Sequence, residues 1–236
     1  MGLYIVLMGV QGAGKGVQAR YISEKYNIPH VSTGDLFRAM KTREDDLARK
    51  IQEIMSSGQL VSDEITNEVV RDRLEQDDAA NGAILDGFPR NRVQAEWLGE
   101  YLRGRGEKVE PVLLFELDLY TAFRRAFGRV SSPVTGKTYN IYSDNEGIEW
   151  NFVEHPENAY PPRLEATEIA TGASLTRRPD DANAGAIIKR IDTYLETTAP
   201  LIAYYEEQGT LVRVDASRSI EDVQADVARV IDEVQG

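Results

Sequence analysis

Apolar and polar positions along the chain repeat with two different periods. Leu3, Ile5, Val6, Leu7 and Met8 form an almost unbroken apolar run, as do Ala83 to Leu85, Pro111 to Leu117 and Leu211 to Val214. Such runs suit strands buried on both faces of a parallel sheet. A shorter strand is expected over Pro29 to Ser32, with Thr33 or Asp35 capping the helix after it. Between the strands the period becomes helical. Gly16 to Tyr26 offers Val17, Tyr21 and Ile22 to an inner face, and Glu44 to Ser57 offers Leu47, Ile51, Ile54 and Met55 before Gly58 stops it. Ser62 caps a helix carrying Ile65, Val69 and Leu74, and Arg92 to Arg103 turns Val93, Trp97 and Leu98 inward. Leu119 to Phe127 is another helix, and Ile187 to Glu207 reads as one long helix kinked at Pro200. Ser219 opens a last helix with Ile220, Val223, Val227, Val230, Ile231 and Val234 on its apolar stripe. Strands alternating with helices predict an α/β fold of three layers around a doubly wound, parallel, five-stranded sheet. Ligands then bind beyond the carboxyl ends of the strands.

Two stretches break the alternation. The short helices of 32–61, ahead of the second long strand, read as an inserted clamp. From Gly128 to about Asp181 periodicity disappears and turn formers collect: Ser131-Ser132-Pro133, Thr135-Gly136, Asp144 to Gly147 and Pro161-Pro162. So long a loop within a compact domain is expected to be a lid with a small sheet of its own. The predicted division is a core of 1–31, 62–127 and 182–236, an insert of 32–61 and a lid of 128–181, with Gly58, Gly87 and Gly128 near the hinges.

Composition narrows the partners. The 236 residues carry a net charge of −12 and a sequence pI near 4.8, which weighs against a nucleic-acid or anionic-membrane surface. There is no cysteine, hence no disulfide framework and no thiolate metal site. The apolar start is one strand long without a basic leader, Val6 fills the Ser/Thr slot that a myristoylation signal needs, and no segment approaches membrane-spanning length. A soluble, cytoplasmic monomer is expected.

The candidate chemistry begins where the first strand stops. Gly9-Val-Gln-Gly-Ala-Gly14-Lys15 has the spacing G-x-x-x-x-G-K of a phosphate loop, with a strand before and a helix after. Glycines let successive N–H groups converge on one anion, and the helix adds its positive end. Lys15 supplies a point charge for the outer phosphates. The next positions are Gly16 and Val17, not the usual Ser or Thr, so Mg²⁺ has to be held by phosphates and water. Arg38, Arg90, Arg129 and Arg177 or Arg178 stand at element ends, with Arg190 near the start of the long helix. In an acidic chain with a phosphate loop they suggest a cationic ring around more phosphate than one nucleotide brings.

GVQGAGKG, STGDLFR, GQLVSDE, LDGFPRNRVQ, FGRVSSPVTGKTY, RRPDD and TAPLIAYY together resemble the adenylate kinases, in their long-lid form, among the nucleoside monophosphate kinases. The resemblance spans the chain apart from an insertion at about 142–160. It implies Mg²⁺-dependent transfer of the terminal phosphoryl group of ATP to AMP, giving two ADP, with no nucleic acid or membrane partner. Gly12, Ala13, Gly14, Lys15, Gly16 and Val17 would line the ATP phosphates, with Arg129, Thr138, Tyr139 and Arg218 also on ATP. AMP would lie on Thr33, Arg38, Gln59, Leu60, Val61, Gly87, Phe88, Pro89, Arg90 and Gln94. Arg178 and Arg190 would bridge the transferring group, and Asp86 would orient Mg²⁺-bound water. Lys15, Asp86, Arg90, Arg129, Arg178 and Arg190 form the implied catalytic set.

The chain departs from that pattern in places. Val10-Gln11 replaces the common Ala-Pro, Val17 a threonine and Val130 a second lid arginine. The neighbouring Arg177 and Arg178 leave the register open by one residue. Where zinc-carrying relatives place cysteines stand Ser132, Thr135, Glu168 and Thr171, a set expected to hold the lid by hydrogen bonds without structural zinc. The insertion carries five acids, no Lys or Arg, and Tyr142, Trp150, Phe152 and Tyr160, read as a hairpin whose aromatics pack on the lid's own sheet. His30 and His155 are read as structural. The alternatives are a kinase for UMP or CMP, a GTP-dependent AMP kinase, or a regulator that binds nucleotides without catalysis; Thr33 and Gln94 weigh against the pyrimidine reading.

Overall fold

The computed structural model describes residues 2–56, 61–154, 162–178, 181 and 183–236, Met55 and Ser56 by backbone alone. It divides into two compact units: Met1–Gly9, Gly14–Glu116 and Tyr194–Gly236, and Val10–Ala13 with Leu117–Thr193.

The first unit is built on a five-stranded parallel sheet of β1 (Leu3–Met8), β2 (His30–Ser32), β3 (Gly82–Asp86), β4 (Val109–Glu116) and β9 (Leu211–Asp215). Their order across the sheet is β2-β3-β1-β4-β9, the doubly wound arrangement expected. All six residues of β1 are buried, which is why the run shows no alternation. Tyr4, Val6, Met8, Leu85, Phe88, Leu98, Val112 and Leu114 form the core, packed with Leu201 and Tyr205 of α8 (Leu201–Glu207).

The helices agree in place more closely than in face. In α1 (Lys15–Tyr26) the buried residues are Gln18, Ala19 and Ile22, while Val17 is exposed and Tyr21 only partly covered. Spacings of three and four residues put 18, 19 and 22 on one face and rotate Val17 off it. α2 (Thr33–Met40) is capped by Ser32, whose hydroxyl accepts from Asp35 N, so neither Thr33 nor Asp35 is the cap. α3 (Asp46–Ser56) and α4 (Asp63–Leu74) share a small core of Met40, Ala48, Ile51, Ile65 and Val69; Ser62 caps α4 as expected. Gly58 lies outside the described residues. In α5 (Arg92–Gly104), Ala95, Leu98 and Leu102 face inward and Val93 faces solvent. The expected long helix is interrupted: α7 (Ala184–Thr193) gives way to a π turn at Tyr194–Thr198, and Pro200 opens α8. Ser219 caps α9 (Ile220–Gln235), whose Val223, Val227, Val230 and Ile231 are buried while Ile220 and Val234 are exposed.

The second unit contains α6 (Leu119–Phe127), α7 and two antiparallel ribbons: β5 (Arg129–Ser131) with β6 (Thr138–Asn140), and β7 (Ile148–Val153) with β8 (Arg163–Glu168). Val130, Tyr139, Ile141, Ile148, Ala166 and Leu175 form its core, the small sheet expected of the lid. The insertion supplies β7. Trp150 meets Phe152 edge-on at 5.7 Å, and Phe152 reaches Phe127 of α6 at 6.2 Å, so the aromatic packing extends beyond the ribbon. His155 and Tyr160 lie outside the described residues.

Candidate active site

β1 ends at Met8, and the chain turns through Gly9, Gly12 and Gly14 at φ of 139°, 92° and 85°. At Gly12 the glycine is required twice over: its φ is left-handed, and a Cβ would stand 2.3 Å from Ala122 O. Beside Gly14 and Gly16 a Cβ would meet nothing within 4 Å, leaving room for a ligand. Gly14 heads α1 without a side-chain cap, and the positive end of the helix there favours an anion. Lys15 Nζ donates to Gly9 O at 2.7 Å, which folds the ammonium back over the loop. Ala13 is buried and Val17 exposed.

The carboxyl end of β3 gathers the second group. Gly87, at φ 76°, turns its carbonyl so that Thr33 Oγ1 donates to it at 2.9 Å and Arg90 Nε at 2.8 Å. Asp86 lies just before. Burial pushes its carboxyl up, but His30 and the charges of Lys15 and Arg90 outweigh burial and hold it below the usual carboxylate range. His30 Nε2 stands 3.4 Å from Asp86 Oδ2, too poorly aligned for a hydrogen bond, and acts there through its proximity. The sequence reading gave His30 no part in this group. Gln94 is 5% exposed and already engaged: Oε1 accepts from Arg90 N at 2.8 Å and Nε2 donates to Asp63 Oδ1 at 2.6 Å. Asp63 also takes Asn91 Nδ2 at 2.9 Å. Neither Asp63 nor Asn91 was expected, since LDGFPRNRVQ draws the eye to its arginine and glutamine.

Other expected nucleotide contacts have different surroundings. Phe88 is 1% exposed, edge-on to Trp97 at 5.9 Å, and Pro89 is also buried after a cis peptide bond, so both side chains are core groups. Arg38 pairs with Asp35, and Arg218 pairs with Asp222 and Asp226 of α9. Val61 packs on the small core of α2 to α4, while Gln59 and Leu60 lie outside the described residues.

In the second unit Arg129 and Arg190 converge on an acid that the sequence reading quoted at the end of RRPDD but gave no role. Asp181 is fully buried, and its Oδ2 takes both Nε and Nη2 of Arg129, with Nε at 2.9 Å. Its Oδ1 takes Gln11 Nε2 and, at 3.4 Å, Arg190 Nη1. Arg177 donates to Phe127 O at 2.8 Å and lies 4.8 Å over the Phe127 ring, whereas Arg178 is exposed.

The lid set is centred on Glu168, which is 2% exposed. Ser132, Thr135, Tyr139 and Thr171 donate to its carboxylate at 2.9, 2.8, 2.7 and 2.5 Å. The hydroxyls of Thr171 and Tyr139, then Thr135 and Ser132, outweigh burial and hold its carboxyl down at about 2. The hydrogen bonds expected among Ser132, Thr135, Glu168 and Thr171 are therefore present, with Tyr139 as an added member. Tyr139 was assigned to ATP, but its side chain is 5% exposed in the lid core; Thr138 Oγ1 meets Ser131 Oγ at 3.0 Å. Among the described residues no cluster of His, Cys, Asp or Glu could hold a metal ion.

A phosphate loop at the end of β1 and a carboxylate with an arginine at the end of β3, on a parallel five-stranded sheet, define a nucleotide-dependent phosphotransferase of the P-loop class. The sequence pattern of the family described as adenylate kinase matches residues 7–210. The adenylate kinases of Thermoanaerobacter sp. (strain X514) and Listeria monocytogenes serotype 4b (strain CLIP80459) are 38% and 40% identical to this chain over 96% of it, covering 97% and 98% of their own lengths. That of Fervidobacterium nodosum is 38% identical over 93% of both. The chain belongs to the adenylate kinase family.

Proposed function

We propose that the phosphate loop, the end of β3 and the arginines of the second unit together carry out reversible transfer of the terminal phosphoryl group of ATP to AMP, forming two ADP. The observation that carries the assignment is Thr33 and Arg90 sharing the Gly87 carbonyl next to a charged Asp86. That cluster supports an acceptor phosphate bound at the end of β3. The attacking group belongs to AMP, so no side chain need act as nucleophile; the work is to position two mutually repelling anions and neutralise the moving charge. Lys15 takes the donor phosphates, Arg90 the acceptor phosphate, and Arg129, Arg178 and Arg190 the transferring group. Arg178 is preferred over Arg177 because Arg177 is tied to Phe127.

The residues fit Mg²⁺ brought in with ATP. Gly16 and Val17 offer it no oxygen, while Asp86 is an ionised acceptor suited to metal-bound water. Bound there, the ion would neutralise phosphate charge. The segments 32–61 and 128–181 are assigned as clamp and lid, excluding water as a competing acceptor. Gln94 serves adenine through what its engaged amide leaves over, one N–H and one lone pair. No helix among the described residues is long and apolar enough to cross a membrane.

The test is ADP formed from ATP with AMP, CMP, UMP or GMP in a coupled assay. Strong preference for AMP is expected; equal or better use of CMP or UMP would overturn the acceptor assignment.

A further inference from the structure

The phosphate loop carries a glutamine where the resemblance has proline, and that side chain reaches Asp181. We propose that Gln11 is a positioning residue for phosphoryl transfer, acting through Asp181 to set how readily Arg129 and Arg190 are released to phosphate. All four residues belong to the second unit. The inference rests on the assignment of those two arginines to the transferring group.

Asp181 is fully buried, so its charge needs partners at all times. Arg129 fills Oδ2, while Gln11 and Arg190 share Oδ1. Arg129 holds Asp181 with its Nε–Nη2 edge and Arg190 with Nη1. A guanidinium that turns that same edge onto a phosphate oxygen gives up its hold on Asp181, because one edge faces one anion at a time. Each departure leaves the buried carboxylate poorer in donors. Gln11 is neutral and has no charge to be drawn to the phosphate, so it keeps its hydrogen bond through the exchange. Without it, Asp181 would depend on the arginines alone and would hold them back.

The other end of the amide supports this role. Gln11 Oε1 is buried and without a hydrogen-bond partner. Turning the amide over would place that oxygen against the Asp181 carboxylate, a repulsive contact, so the donor end must face the acid. The side chain therefore accepts one unsatisfied atom in order to keep its bond to Asp181. Proline at position 11 has no donor and could not act in this way.

The experiment compares Gln11→Met, of similar length but without a donor, and Gln11→Glu, of the same shape but anionic, with Arg129→Ala and wild type. Each is measured for kcat and KM with ATP and AMP across pH, and for unfolding midpoint. Gln11→Met is expected to lower kcat about tenfold with little change in KM, as for other outer residues that orient a catalytic group. Gln11→Glu sets two carboxylates together between Arg129 and Arg190. The added negative charge should hold both guanidiniums more tightly, so the variant's kcat is expected to fall at least as far as that of Gln11→Met, again with little change in KM. Wild-type kcat in Gln11→Met, or in folded Gln11→Glu, would overturn the inference while leaving the arginine assignment standing, provided Arg129→Ala is impaired. An unimpaired Arg129→Ala would overturn the arginine assignment and this inference together.

Discussion

Arg90 and Thr33 converge on one carbonyl, and His30, Lys15 and Arg90 together hold Asp86 charged against its burial. Arg90→Ala therefore removes a phosphate-binding cation and a supporting charge at once. Both Arg90→Ala and Lys15→Met are expected to lower kcat by about a thousandfold or more at an unchanged unfolding midpoint, the scale seen when a cation that neutralises charge in phosphoryl transfer is lost. Near wild-type turnover in either folded variant would contradict the role given to that residue. These positions were legible because glycine, lysine, aspartate and arginine recur there at short fixed spacings. Asp181 was not. It is one of 39 acids in the chain, and what sets it apart is burial against Arg129, 52 residues earlier, a relation that no local pattern carries. The bond from the Tyr139 hydroxyl to Glu168, 29 residues later, was hidden for the same reason.

The elements divide by how much of their surface is covered. Strands of the sheet announce themselves as apolar runs, and four of the five stand where those runs lie; β2, only partly buried, was expected as a short strand at Pro29 to Ser32. Helix faces were harder: Val17 and Val93 are apolar yet exposed, because which stripe is buried depends on the packing partner. Two predictions belong here. Gly12→Ala is expected to destabilise by at least about 1–3 kcal/mol in chemical denaturation, from its left-handed φ and a Cβ pressed on the Ala122 carbonyl; an unchanged midpoint would contradict the packing. In the lid, the folded pKa of Glu168 is held below its ordinary value. Its stabilisation is complete above about 4.5, the ordinary value, and is lost as pH falls through that value toward about 2. Trp150 fluorescence in a Trp97→Phe background should report a lid transition in that window. Glu168→Gln should lack this acid-dependent component and show a less stable lid at neutral pH. Identical acid curves for the two proteins would remove Glu168 as the cause.

At the scale of the molecule, a chain of net charge −12 places Lys15 and Arg90 at the ends of β1 and β3, and Arg129 and Arg190 on Asp181. Lys15 and Arg90 belong to the first unit and Arg129, Arg178 and Arg190 to the second. The doubly wound parallel sheet, the small core of 130–175 and a hydrogen-bonded set at Ser132, Thr135, Glu168 and Thr171 could all be anticipated from the sequence; the order of strands, the break between α7 and α8 and the burial of Asp181 among the arginines could not. The central claim is that these five cations serve one chain of phosphates joining two adenosines. A crystal structure with a two-headed adenosine polyphosphate tests it most directly. The account predicts Lys15, Arg90, Arg129, Arg178 and Arg190 within hydrogen-bonding distance of the bridging phosphates, with Arg177 still on Phe127. Phosphates bound with Arg90, Arg129 and Arg190 turned elsewhere would contradict it.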